Sequence, residues 1–248
     1  MGPPTISIFA PGPPVKSLTK KNAKKCLTFR AAHAIIIIVI GGTMVNPKYR
    51  KEFKKIMEKS EIFAKEIELI QDETLRCFTR NYLNEWTPDI FWTTGASASG
   101  KFHPDFAKGE GGLVRHTKAV VMFCDELMRM SQWAYMTDAR KDIAIMACIF
   151  HDTCKYGMTN EVDTNEYKNH AENAAINVAA AWQDYFHAPC PYELEQAIRS
   201  HMGQWSTNRE DRPFTPIDRL VHLADFQASR SFIDIPCITK EYNEAIGK

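Results

Sequence analysis

The second half of the chain carries imidazole and carboxylate side chains at positions where the neighbouring sequence is apolar. They are His116, His151, Asp152, His170, His201 and Asp225. His151 and Asp152 end the apolar run DIAIMACIF, and Asp225 lies within IDRLVHLADFQAS. A buried carboxylate is costly unless it is paired or bound to a metal. Imidazole nitrogens with carboxylate oxygens suit Mn, Fe, Co, Ni and Zn ions, so we interpret the set as a divalent-metal site.

Helical periodicity predicts the elements that must position these side chains. The predicted helices in this half are Leu113–Met130, Asp138–Phe150, His170–Phe186, Tyr192–His201 and Pro216–Phe232. No segment alternates in the manner of a half-buried strand, so the fold class predicted is all-α. The candidate ligands then fall one or two to a helix, mostly near helix ends.

The sequence of the first half predicts a tail, a helical region and a loop. Asn46-Pro47 is a helix start, and the pattern continues to Trp86 as one long helix or as two with a break. Residues 87–112 are rich in Gly and Pro, and no helix or strand is predicted there. We therefore expect three parts: 1–43 as a disordered tail or upstream extension, 44–90 as an N-terminal helical region, and 91–248 as the catalytic domain.

Composition and charge exclude few functions but do constrain location. The chain has 248 residues and a formal net charge of +1, so nothing global requires a nucleic-acid or anionic membrane partner. The basic segment before the apolar run at 31–40 resembles a signal peptide or anchor. That run is shorter than the about 20 residues a membrane span needs. We expect a cytoplasmic protein without a membrane partner; export or anchoring through residues 20–43 is the alternative.

The order of the candidate ligands along the chain, H…HD…H…H…D, resembles the HD-domain superfamily of metal-dependent phosphohydrolases. The resemblance covers roughly residues 100–232 and includes the segments GGLVRHT, HDTCK, SHMG and LADFQAS. The HDTCK segment and the following pair of histidines are similar to the branch that contains cyclic-dinucleotide phosphodiesterases and certain exoribonucleases. The resemblance implies an HD-domain-like helical bundle with an N-terminal helical extension.

The resemblance also implies a role for each residue. One metal ion would be held by His116, His151, Asp152 and Asp225, and Asp152 would bridge to a second ion on His170 and His201. A metal-activated water would attack phosphorus. Asp152 and Lys155 are the candidate catalytic residues, with Lys155 holding a phosphate oxygen; the alternative for Lys155 is a solvated lysine at a helix end. Whether one or two ions bind, and which of Mn, Fe, Mg, Co, Ni and Zn, stays open.

The substrate implied is a phosphomonoester or phosphodiester, as a small-molecule phosphate ester, a nucleotide or an oligonucleotide. The sequence contains no RNP, KH or zinc-ribbon pattern that would support a nucleic-acid partner. Two other functions stay open: a di-iron oxygenase of the HD type acting on a small polar molecule, and a non-catalytic HD binding module.

The loop before the first candidate ligand contains GASASGK, which lacks the Ser or Thr that completes a phosphate-binding P-loop. We expect this segment to be a loop over the active site. Lys101, His103 or Arg115 could then meet the substrate phosphate, with a loop of no function as the alternative.

Several residues near the predicted ligands have two interpretations. His222 could orient Asp225, since it lies one helical turn earlier, or it could simply be packed. Arg230 could reach the mouth of the site, although a surface salt bridge is the favoured interpretation. The tryptophans Trp133, Trp182 and Trp205 are expected in the core or at its rim rather than as a base-stacking surface.

Overall fold

A computed structural model describes residues 59–97, 103–162, 166–206 and 208–248. These residues belong to one compact unit, Lys51–Lys248. The predicted tail at 1–43, the helix start at Asn46-Pro47 and Lys101 lie outside the described residues. Within the described ranges, no helix combines the length and the apolar character that crossing a membrane would require.

The described ranges contain helices and no strands, which confirms the predicted all-α class. The α-helices are α1 (Ala64–Ile67), α2 (Glu73–Glu85), α3 (Asp89–Thr93), α4 (Gly112–Met128), α5 (Asp138–Phe150), α6 (His170–Phe186), α7 (Tyr192–Ser200), α8 (Pro216–Ala228) and α9 (Pro236–Ala245). Short 3₁₀ helices lie at Lys59–Phe63, Asp105–Ala107, Ser131–Trp133, Glu166–Lys168 and Gly203–Trp205.

Four of the five helices predicted for the second half agree with these bounds to within two residues. The fifth, predicted to end at Phe232, ends at Ala228, and α9 was not predicted. Two segments nearer the N-terminus also differ. The segment 87–112 was expected to hold no helix, yet α3 and the 3₁₀ helix at Asp105–Ala107 lie within it. Pro88 and Pro104 are the N-cap residues of these two helices, and their extended ψ values of 143° and 164° place each helix start at the following residue. In the region before Trp86, α1 and α2 are separated by residues 68–72, so the break is present.

Local sequence signals set the ends of the helices that matter for the site. Thr215 caps α8 by accepting from Asp218 N, and the Asp218 carboxylate accepts from Thr215 N, while Pro216 is the first helical residue. Gly111 begins α4 with a φ of 68°, and a Cβ on Gly112 would lie 2.3 Å from the Ala107 carbonyl oxygen. The paired glycines therefore let the preceding loop fold closely against the start of α4.

The core forms where α4, α5, α7 and α8 pack against one another, and α6 packs on α7. An aromatic cluster attaches α2 to this bundle. The ring of Phe78 lies 6.1 Å from that of Phe150 in α5 and 5.0 Å from that of Trp182 in α6. Edge-to-face aromatic pairs of this kind add to the burial of apolar area. Asp142 in α5 also accepts hydrogen bonds from the backbone of Gln71 and Asp72, directly before α2.

Candidate metal centre

Five helices bring the six candidate ligands into one buried cluster. His116 lies in the second turn of α4, and Asp225 lies in the last turn of α8. His151 and Asp152 directly follow α5, His170 is the first residue of α6, and His201 directly follows α7. The five residues other than Asp225 are at most 1% exposed, and the Asp225 side chain is 16% exposed. The structure therefore brings together all six residues that the sequence singled out.

One side of the cluster is formed around the Oδ2 atom of Asp152. The His116 Nε2 atom lies 3.8 Å from Asp152 Oδ2 and 3.0 Å from Asp225 Oδ1. The His151 Nε2 atom lies 3.5 Å from Asp152 Oδ2 and 3.8 Å from Asp225 Oδ1. Ligand atoms that each lie about 2.1 Å from one ion are separated from each other by roughly 3 to 4 Å. These four residues have the spacing that one metal ion requires.

The other side of the cluster is formed around the Oδ1 atom of the same carboxylate. The His170 Nε2 atom lies 3.2 Å from Asp152 Oδ1, and the His201 Nε2 atom lies 3.6 Å from it. The two Nε2 atoms are 3.1 Å apart. Asp152 thus presents one oxygen to His116 and His151 and its other oxygen to His170 and His201, which is the arrangement expected of a bridging carboxylate.

Backbone carbonyls orient three of the imidazole rings. His151 donates from Nδ1 to the carbonyl of Cys148, His170 to that of Tyr167, and His201 to that of Ile198, at 2.7, 2.6 and 2.7 Å. A proton on Nδ1 leaves the lone pair on Nε2, so each ring turns an acceptor nitrogen into the cluster. This is the hydrogen-bond pattern that metal-binding histidines use to fix their tautomer.

Three polar atoms of the six ligands are buried without a hydrogen bond. One is His116 Nδ1, on the other side of its ring from Nε2; the other two, His151 Nε2 and Asp152 Oδ1, face the cluster. Leaving a buried polar atom unpaired costs about 1–3 kcal/mol, so such atoms are rare unless something satisfies them. A divalent cation would satisfy the two that face the cluster, because each is an electron-pair donor aimed into it. The residues present therefore fit a metal site.

The titration behaviour of the ligands also favours metal binding. Burial lowers the pKa of His201 to about 4, and burial lowers the pKa of His116 as well. Burial alone would raise the pKa of Asp225, but the hydrogen bond from His116 and the nearby histidines hold it below the usual range. At His151 burial is outweighed by Asp152 and Asp225, and the pKa is raised. At His116 and His201 the neutral imidazole beside ionised carboxylates is the form that binds a cation.

Lys155 is buried rather than solvated. Its side chain is 6% exposed, it donates to Asp152 Oδ2, and its ammonium lies 5.7 Å from the ring centroid of Tyr167. Burial by itself would lower the pKa of Lys155, yet the attraction of Asp152 outweighs burial and the pKa is raised. The alternative of a solvated lysine at a helix end is wrong, and the ammonium is a fixed positive charge at the cluster.

Of the residues considered for phosphate binding, Arg115 is directed away from the cluster and His103 lies beside it. Arg115 donates to the backbone carbonyls of Phe106, Lys108 and Glu110 and packs against the ring of Tyr242. It therefore holds residues 106–110 and is not directed at the cluster.

His103 does lie at the cluster. Its ring centroid is 5.0 Å from that of His116, its Nδ1 atom is buried without a partner, and burial lowers its pKa to about 3. It follows proline-rich and glycine-rich sequence without any ligand spacing, so the sequence offered it only as one of three residues in the loop.

The contacts of His222, Arg230 and the tryptophans distinguish between the two interpretations that the sequence left open for each. His222 donates from Nδ1 to the carbonyl of His201 at 2.7 Å, so it supports His201 rather than the Asp225 carboxylate. Arg230 has no carboxylate partner in the described part of the chain, so the favoured surface salt bridge is wrong. Trp182 is buried in the core, whereas Trp205 is 51% exposed.

Residues 113–226 match the family model of the HD domain. This segment of the chain is therefore similar to the HD domain. The matched segment begins next to the glycines that start α4 and ends one residue after Asp225, so it spans all six residues of the cluster. No curated protein and no solved structure matches the chain.

The match to the HD domain agrees with the cluster. HD domains bind divalent metals, and the chain contains two groups of three residues whose ligand atoms lie within 4.8 Å of one another inside each group. One group is His116, His151 and Asp225, and the other is His151, Asp152 and His201. The HD dipeptide itself, His151-Asp152, belongs to the second group and supplies the carboxylate at its centre.

Proposed function

We propose that this protein is a metal-dependent phosphohydrolase that cleaves a phosphomonoester or phosphodiester of a nucleotide or similar small molecule. The observation that carries the proposal is the split of the Asp152 carboxylate, which turns one oxygen to His116 and His151 and the other to His170 and His201. That arrangement suits two divalent ions that share one bridging carboxylate.

The residues divide into two groups of ligands. His116, His151, Asp152 and Asp225 would hold one ion, and Asp152, His170 and His201 would hold the other. Divalent ions in such a site supply a nucleophilic water at neutral pH and stabilise charge on the phosphoryl oxygens. The chain itself fixes the ligand orientations through the carbonyls behind His151, His170 and His201.

Lys155 is proposed to stabilise charge at the site. Its ammonium is held on Asp152 and is desolvated, so a phosphate oxygen that reaches the cluster would meet a fixed positive charge. A preorganised charge in a dry site acts more strongly than one in water, since less solvent screens it. We expect Lys155→Met to lower kcat more than it changes KM, since the contact strengthens as negative charge develops.

The test is metal analysis of protein purified without chelators, together with hydrolysis of bis-p-nitrophenyl phosphate and of a nucleotide panel with added Mn²⁺. We expect about two equivalents of metal and metal-dependent phosphate release. His151→Ala should abolish activity, and His170→Ala should leave about one equivalent. Metal-free protein without turnover would refute the proposal.

A matched histidine variant keeps the test specific. His187 is exposed and adopts φ 55° at the end of α6, a conformation that asparagine also tolerates. His187→Asn should keep the metal content and the activity of the wild type. Oxygen consumption by the iron-loaded protein without phosphate release would support the di-iron oxygenase instead.

A further inference from the structure

An exposed aromatic surface lies next to the metal centre, built from Trp205, Phe226 and Arg230. The rings of Trp205 and Phe226 are nearly parallel, with an interplanar angle of 13° and centroids 5.7 Å apart. The Arg230 guanidinium lies 4.1 Å from the Phe226 centroid and 5.9 Å from that of Trp205. Trp205 is 51% exposed, so a large ring is held in order while much of it faces solvent.

This surface is continuous with the elements that carry two of the ligands. Phe226 directly follows Asp225 on α8, and Trp205 ends the short 3₁₀ helix that begins two residues after His201. The ring of His222 lies beside both: its centroid is 6.2 Å from that of Trp205 and 6.3 Å from that of Phe226, and its Nδ1 atom donates to the His201 carbonyl. A ligand on this surface therefore lies beside the cluster.

The charge on Arg230 is not neutralised within the described residues. Its Nε atom donates to the Phe226 carbonyl and its Nη2 atom donates to Ser229 Oγ, both of them uncharged acceptors. The guanidinium is thus fixed in place against an aromatic ring, with its positive charge available to an anion. Flat aromatic groups and a guanidinium plane are the features on which nucleobases stack and to which phosphates bind.

Resting on the proposed function, we propose that Trp205, Phe226 and Arg230 form the base-binding part of the substrate site, and that the substrate is a nucleotide or the end of a single-stranded nucleic acid. The base stacks on the exposed face of Trp205, and Arg230 contacts the anionic backbone of the same ligand. The scissile phosphate then lies at the cluster, next to Asp225. The shared chemistry is a nucleobase joined to a phosphate, whether free or in an oligonucleotide.

The first experiment measures binding without catalysis. Chelator-treated protein is titrated with adenosine 5′-monophosphate and with ribose 5-phosphate by calorimetry and by tryptophan fluorescence. We expect the nucleotide to bind at least tenfold more tightly than the sugar phosphate, and to quench part of the fluorescence. If a five-residue oligoadenylate binds more tightly than adenosine 5′-monophosphate, the substrate is the end of a nucleic acid. If the two bind with equal affinity, the substrate is a mononucleotide. Equal binding of nucleotide and sugar phosphate would overturn the proposal.

Variants then locate the binding. Trp205→Ala should weaken nucleotide binding about tenfold, which corresponds to about 1.4 kcal/mol and to the stacking of one base. Trp205→Phe should keep most of the affinity in calorimetry, because an aromatic ring is retained. The fluorescence quenching should be lost, because the base no longer contacts a tryptophan and the signal comes from the other four. Arg230→Gln should weaken the binding of the nucleotide and leave the affinity for adenosine, which has no phosphate, unchanged.

The control is Tyr192→Ala. Tyr192 is 70% exposed and begins α7, at the opposite end of that helix from His201. The Tyr192→Ala variant should bind the nucleotide like the wild type. Unchanged nucleotide binding in Trp205→Ala would refute the assignment. Because binding is measured without metal, loss of base binding and loss of phosphohydrolase activity are separate results.

Discussion

The replacement Asp152→Asn examines the centre of the cluster, because Asp152 contacts the four ligand histidines and Lys155. The substitution keeps the size of the side chain and removes its charge. In the metal-free protein, the principal loss is the partner of Lys155, since the Asp152 and Lys155 side chains are only 1% and 6% exposed. The variant therefore leaves a buried ammonium without a counterion.

The size of the effect follows from this burial. Removing one partner of a buried ion pair costs about 3–5 kcal/mol, whereas an exposed pair contributes about 0–1 kcal/mol. For a protein of this size each kcal/mol lowers Tm by about 2–4 °C, so we expect a decrease of about 6–20 °C. The exposed pair of Asp125 with Arg129, whose arginine side chain is 72% exposed, supplies the control: Asp125→Asn should lower Tm by only a few degrees.

The assay is thermal and urea unfolding of chelator-treated protein, followed by circular dichroism. A double variant, Asp152→Asn with Lys155→Met, removes both charges and should recover most of the lost stability without restoring metal binding. If the single variant unfolds within about 1 kcal/mol of the wild type and the double variant shows no recovery, the buried pair is not what fixes Lys155.

Two further outcomes follow from the contacts around the cluster. Tyr82→Phe removes a buried hydroxyl that lies 2.8 Å from Thr153 Oγ1 and accepts from Asn177, so urea unfolding should show a loss of about 1–3 kcal/mol with unchanged metal content. In metal-free protein, stability should fall as pH decreases from about 6.5 to 4, because the unfolded chain binds a proton that His201, with its pKa lowered to about 4, does not bind. His201→Asn should reduce that decrease by up to about 2 kcal/mol when unfolding is compared at pH 5 and pH 7, because about 1.5 pH units lie between 6.5 and 5 and each corresponds to about 1.4 kcal/mol.

Sequence reasoning predicted the ligand set because each ligand has a local signal. His151 and Asp152 interrupt an apolar helix at its end, and Asp225 lies on an apolar helix, so each is a polar group where burial is expected. The order of these residues on successive helices then specifies a single bundle. The helix bounds followed mainly from the apolar period.

The remaining features could not be predicted from local signals, since they arise from contacts between distant segments. His103 reaches His116 because the segment that follows it packs against α4, where Gly112 leaves room for the Ala107 carbonyl. The fixed charge of Lys155 likewise depends on burial, which the three-residue spacing from Asp152 does not reveal. The short helices in 87–112 have too few residues to show a period.

The aromatic surface and the metal centre depend on one another through a single turn. Gly203 has a φ of 59°, and a Cβ there would lie 2.1 Å from the ring of His222. Since His222 donates to the carbonyl of His201, the same close approach positions a ligand histidine and directs the chain toward Trp205. The proposed base binding on Trp205 and the proposed metal binding at His201 therefore depend on one backbone conformation, which only glycine adopts without strain.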